Sequence, residues 1–195
     1  MPVGRVVEPC HEAPSDSPCD VETASRAKTR QRRNGAPLIR WPDKYSPDRT
    51  RVHVHNQLEM PVPSTFVWAW LIRAELWPTW YENSKRVVIE GGGPDLRSGS
   101  RFQWTTFGVR LDSKVEEFAS GERLAWSARA TGIDAYHAWL IENRPPGSYV
   151  VTEETQNGWL ARLSNMLRPR SMSEQHQNWL EGLRRKAAEG PPPAT

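Results

Sequence analysis

His137 and Glu154 are the side chains in this sequence whose types suit them to move a proton together. An imidazole titrates near neutral pH and a carboxylate can exchange a proton with it, which is the chemistry of general acid–base catalysis. A carboxylate buried in an apolar pocket is expected to have a raised pKa and to act as an acid. Both residues sit in segments of strand-like composition, residues 134–142 and 148–156. A two-residue turn at Pro146 and Gly147 then pairs Ile141 with Thr152 and Trp139 with Glu154, and sets His137 opposite Gln156 on the same sheet face. A loop longer by one residue would swap the faces of one strand relative to the other.

Other chemistry is not signalled. There is no nucleophile motif and no phosphate-cradling glycine loop, because Gly91, Gly92 and Gly93 precede no helix. Cys10, His11 and Cys19 lack paired metal-ligand spacing, and His53 and His55 fall on the polar face of a strand, where solvation is the expected state. Neither a metal nor a cofactor is expected.

The elements that must hold His137 and Glu154 follow from the apolar spacing. Residues 52–58 alternate as a half-buried strand, stopped by Pro61 and Pro63. Two short helices follow, one around residues 66–71 and one from Arg73 or Ala74 to about Trp80. Six strands come next, at residues 85–90, 100–106, 109–118, 122–129, 134–142 and 148–156, separated by Gly and Pro turns that make antiparallel hairpins. A turn at Ser120 and Gly121 pairs Val115 with Trp126 and Ser113 with Ala128, so Leu111, Ser113, Val115, Leu124, Trp126 and Ala128 share the more apolar, inner face. One long helix, residues 158–189, closes the chain. Leu160, Leu163 and Leu167, then Trp179, Leu180, Leu183 and Ala187, recur at three and four residues. Pro169 predicts a kink, with Ser171 and Glu174 spaced as a capping box for the restart. Consecutive strands with segregated helices make an α+β layout.

Composition bounds the partners. The net charge is +3, and after position 50 there are 17 basic and 16 acidic residues, which argues against a phosphate-backbone binder. No apolar run approaches 18 residues and no signal-peptide core is present, so no membrane span and a cytoplasmic location are expected. Residues 1–50 carry seven prolines and the basic run Arg26, Lys28, Arg30, Arg32 and Arg33, and read as a poorly structured extension that is either a solvated tail or an arm for nucleic acid, anionic lipid or a protein partner. Within it, the stretch from Leu38 to Trp41 is apolar enough to dock on the domain edge. Residues 51–189 form the domain and residues 190–195 a flexible tail.

Pro63-Ser64-Thr65-Phe66-Val67-Trp68, Trp77-Pro78-Thr79-Trp80, Leu96-Arg97-Ser98-Gly99-Ser100 before Phe102 and Trp104, Glu122-Arg123-Leu124-Ala125-Trp126, and Glu153-Glu154 shortly before Gly158 occur in an order that resembles the SRPBCC superfamily. That group includes START-related, birch-pollen-allergen-like and polyketide cyclase or dehydrase-like proteins. The resemblance covers residues 51–189 and implies a helix-grip fold, seven antiparallel strands curved around the C-terminal helix with a cavity between. Nine tryptophans after position 50 can furnish flat walls for an apolar or aromatic guest such as a lipid, sterol or polyketide-like molecule. The expected ligand-binding residues are Phe102, Trp104, Leu111, Ser113, Val115, Trp126, Ala128, Trp139, Ile141, Thr152, Trp159 and Leu163, with His137 and Glu154 as the catalytic candidates. A carrier or sensor without turnover is the leading reading. A cyclase or dehydrase, and a protein-interaction module with a filled core, are the alternatives.

Overall fold

The computed structural model describes residues 39–194, apart from Arg168 and Pro169. The basic run at 26–33 and the Cys10, His11 and Cys19 grouping lie outside the described residues. The core is a seven-stranded antiparallel sheet, β1 (Val52–Met60), β2 (Lys85–Ile89), β3 (Arg101–Thr106), β4 (Val109–Ala119), β5 (Arg123–Ala130), β6 (Ile133–Arg144) and β7 (Gly147–Asn157), in the order β1-β7-β6-β5-β4-β3-β2. Between β1 and β2 lie α1 (Ser64–Ile72) and a 3-10 turn, Ala74–Thr79. After β7 come α2 (Trp159–Leu167) and α3 (Ser171–Ala188). This is the helix-grip architecture. Among the described residues no helix is long and apolar enough to cross a membrane.

Two hairpins set which side chains face inward. In the β4–β5 hairpin Val115 pairs with Trp126 and Ser113 with Ala128, as expected. The turn, however, closes Ala119 on Arg123, one residue wider than a Ser120–Gly121 turn, and a bulge between Val115 and Glu117 absorbs the difference. In the β6–β7 hairpin Arg144 pairs with Gly147, so the turn is Pro145–Pro146 and the expected register is wrong by two residues. Trp139 faces Thr152, and His137 faces Glu154 directly. A slip of two preserves the faces, because side chains alternate with a period of two.

The long helix is two helices, ending at Leu167 and restarting at Ser171; Pro169 itself is outside the described residues. The expected capping box does not form. Arg170 occupies the N-cap and its carbonyl accepts from the Glu174 amide, while no side chain caps the turn. Gly182 lets α3 approach the 3-10 turn, since a Cβ there would meet the Trp80 carbonyl oxygen at 2.4 Å. The stretch after α3 is tied down rather than flexible: Trp70 Nε1 donates to Gly190 O (2.7 Å) and Arg73 to Pro193 O (2.8 Å).

The domain also begins earlier than residue 51. Ile39 and Tyr45 are buried against Ala125, Tyr136, Ala138, Leu140 and Val151 on the outer face of β5, β6 and β7, with Trp41 packed beside them. Strand alternation alone treats that face as solvated. Its apolar patch needs cover, and residues 39–45 supply it on the face of the sheet rather than at an edge.

Inside, aromatic rings lock helix to sheet. Trp77 on the 3-10 turn lies 5.2–5.8 Å from Phe102, Trp104, Trp126 and Trp179, and donates to Leu71 O at 2.9 Å. Trp179 on α3 stacks on Tyr81 at 4.4 Å and meets Trp139 edge-on. Trp77→Ala should therefore destabilise the protein by about 3–5 kcal/mol in urea denaturation, since it empties the centre of this cluster and leaves a buried carbonyl unpaired. A loss under about 1 kcal/mol would contradict the packing described.

Candidate functional site

Where the rings end, small residues begin. Ala128 pairs with Ala135 across β5 and β6, and with Ala161 of α2, Val52 and Val109 they border a cavity of about 270 Å³ between sheet and helices. The rest of its wall includes Tyr81, Trp104, Leu111, Trp126 and Trp179, and a polar side formed by His137, Glu154, Gln156 and His176.

That polar side is organised around one carboxylate. Cross-strand pairing puts Glu154 beside His137, and the spacing of α3 brings His176 over the same group, one turn before Trp179. His137 Nδ1 and His176 Nε2 both lie 3.1 Å from Glu154 Oε2, and Gln156 donates to Oε1. The second nitrogen of His137, Nε2, meets the Thr152 hydroxyl at 2.7 Å. With Nδ1–H donated to the carboxylate, Nε2 accepts from that hydroxyl. His137 and His176 are 2 % exposed, whereas the Glu154 side chain keeps 13 % exposure. His176 Nδ1 is buried and has no hydrogen-bond partner, and the same holds for the indole N–H groups of Trp126 and Trp179.

The electrostatics correct the expectation of an acidic Glu154. Burial pushes its pKa up, but the hydrogen bonds from His137 and His176 outweigh it and hold the carboxyl well below the usual carboxylate range. Burial carries His137 down to about 4, against the pull of Glu154, so it is neutral at pH 7. Glu154 is thus an anion that orients imidazoles. Burial pushes the Tyr81 hydroxyl up, which keeps it protonated.

No protein-family model and no curated protein sequence matches this chain. Solved structures do. A hypothetical protein from Helicobacter pylori, jhp0584, is 31 % identical over 78 % of this chain and 97 % of its own, with a TM-score of 0.73. The chain belongs to the same family as that protein. Two more distant structures share the fold alone. The di-domain ARO/CYC StfQ from the steffimycin biosynthetic pathway matches at 15 % identity over 71 % of this chain and 51 % of its own, with a TM-score of 0.58. Ara h 8.0201 matches at 10 % identity over 71 % of this chain and 99 % of its own, with a TM-score of 0.54.

The structure sorts the candidate residues of this family member into three groups. Trp104, Leu111, Trp126, Ala128, His137 and Glu154 line the cavity. Phe102, Ser113, Val115, Trp139, Ile141 and Thr152 are buried but lie behind that wall. Ser113 accepts from Trp104 Nε1 at 3.1 Å, and Trp139 stacks on His137. Trp159 and Leu163 are 63 % and 40 % exposed, because in α2 it is Leu160 and Ala161 that face inward. Tyr81 and His176 are not among the expected residues, and Gln156 is expected on this sheet face but not as part of the site. His176 had a legible signal, since it falls three residues before Trp179 and seven before Leu183 on the buried stripe of α3. No metal-ligand set was expected either, yet His137, Glu154 and His176 are the one such grouping among the described residues.

The remaining strand histidines are not merely solvated. His53 and His55 on β1 both bond Glu153 on the outer face of β7, at 2.7 and 3.0 Å. Burial pushes Glu153 up, but these two bonds prevail and hold it at about 2. A depressed carboxylate binds fewer protons folded than unfolded, so its contribution is full above pH about 4.5 and is lost as pH falls toward 2. At about 1.4 kcal/mol per pKa unit that contribution is at most about 3.5 kcal/mol. Glu153→Gln should lower stability at pH 7 and converge on wild type near pH 2 in acid unfolding followed by circular dichroism. Parallel curves across that window would contradict this.

Proposed function

We propose that this chain is an SRPBCC-superfamily protein whose cavity binds a compact, largely apolar or aromatic molecule bearing oxygen acceptors. The supporting observation is the combination of an apolar wall with three unpaired polar groups from lining residues, Trp126 Nε1, Trp179 Nε1 and His176 Nδ1. Buried donors and acceptors left alone are costly, and a ligand carrying hydroxyl or carbonyl groups satisfies them. The volume falls near the lower end of the roughly 300–1,000 Å³ usual for such sites, which favours a compact ring system over a diacyl lipid.

A second reading is favoured by the unengaged nitrogen of His176. If Glu154 accepts Nε2–H of His176, the free Nδ1 of His176 is left as a base at the cavity, and Glu154 becomes its positioning residue. His137 is less suited to touch a substrate, because both its nitrogens are engaged. This arrangement suits proton abstraction next to a carbonyl, the step a polyketide cyclase or dehydrase needs.

Native mass spectrometry followed by denaturing extraction tests the binding reading. A stoichiometric small mass should leave only on unfolding, and Ala135→Phe, which fills the cavity floor, should abolish it. A clean apo mass with no shift against lipids, sterols and aromatic polyketide-like compounds would overturn it in favour of an interaction module. For the second reading, His176→Ala and Glu154→Gln should each cut turnover of a poly-β-ketone about 100-fold or more while leaving its affinity nearly unchanged. Equal losses of affinity and rate would mean that these residues only bind.

A further inference from the structure

The carboxylate that both histidines approach is also a donor set. We propose that His137 Nδ1, Glu154 Oε2 and His176 Nε2 form a binding site for a divalent transition-metal ion, for which Zn²⁺ is the fitting probe. Zinc takes imidazole nitrogen at about 2.0–2.1 Å and carboxylate oxygen at about 2.0–2.2 Å, which sets neighbouring ligand atoms roughly 3.4 Å apart in a tetrahedron. Both nitrogen-to-oxygen separations here are 3.1 Å, and all the ligand atoms of the set lie within 4.8 Å of one another. The closing movement falls to the two imidazoles, and His176 Nδ1 makes no bond that opposes it.

Two of the three ligands already have the outer partners of a supported metal site. Ligating histidines characteristically bond a second group through their other nitrogen, and ligating carboxylates are themselves hydrogen-bonded. Thr152 takes that part for His137 and Gln156 for Glu154. The protons balance without an outside base: a neutral imidazole that binds the ion through one nitrogen carries its proton on the other. His137 Nε2–H then donates to the Thr152 oxygen, since a hydroxyl accepts as readily as it donates. Three protein ligands leave the fourth position to the cavity, where an anionic oxygen such as a carboxylate, enolate or phenolate is the complementary ligand.

Untagged full-length protein, stripped with chelator and dialysed, should bind one Zn²⁺ in calorimetric titration, and Co²⁺ should give the visible absorption of a bound low-symmetry ion. His137→Ala and His176→Ala should each weaken Zn²⁺ at least tenfold, and Thr152→Val about tenfold. The outer-face variant His53→Gln/His55→Gln should bind as wild type does. Circular dichroism checks that each variant is folded, and the Co²⁺ spectrum of the wild type stands even if one is not. Absence of binding at millimolar Zn²⁺ would overturn the proposal, as would an affinity that follows His53 and His55 or ignores His137 and His176. Because the cavity readings are tested by an extracted organic mass and by turnover, metal binding without either would leave this site standing alone.

Discussion

The seating of Trp179 against the sheet fixes how helix, sheet and site fit together. One side chain of α3 touches rings from the 3-10 turn, from β3, β5 and β6, and from Tyr81, so helix position and sheet curvature are decided together. Close packing of large rings leaves little freedom at that end of the domain. Farther along, the facing residues shrink to Ala128, Ala135 and Ala161, and the same helix–sheet spacing cannot be filled. The cavity is a consequence of where the tryptophans stop.

The second consequence is electrostatic. Trp179 and His176 lie one turn apart on α3, so docking the ring also delivers an imidazole to Glu154. A largely buried carboxylate persists as an anion only where donors converge on it. Those donors are built into three elements, β6, β7 and α3, and the apolar rings around them strengthen the interaction by keeping the local dielectric low. The proposed proton transfer and the proposed metal site both draw on this one arrangement. They differ in which nitrogen of each histidine carries hydrogen.

Much of this architecture was legible in the chain. Gly and Pro turns marked the strands, the three- and four-residue spacing marked the helices, and the inner face of the β4–β5 hairpin followed from alternation. His137 and Glu154 were placed on one face although their register was wrong by two, because an even slip conserves faces. The bulge before Glu117 and the Pro145–Pro146 turn left no such trace, since each depends on how neighbouring strands settle their hydrogen bonds.

Local pattern was enough to set the alternation of the strands and the amphipathic stripe of the last helix, for these periods are properties of the backbone and hold wherever the segment lies. It took the assembled fold to make Glu154 an anion rather than an acid, to bring His176 to its side, to turn Trp159 and Leu163 outward, and to lay residues 39–45 over the outer sheet. Each of these depends on groups far apart in the chain arriving within a few ångströms. Ionisation and burial are set by that distance, which no local pattern records.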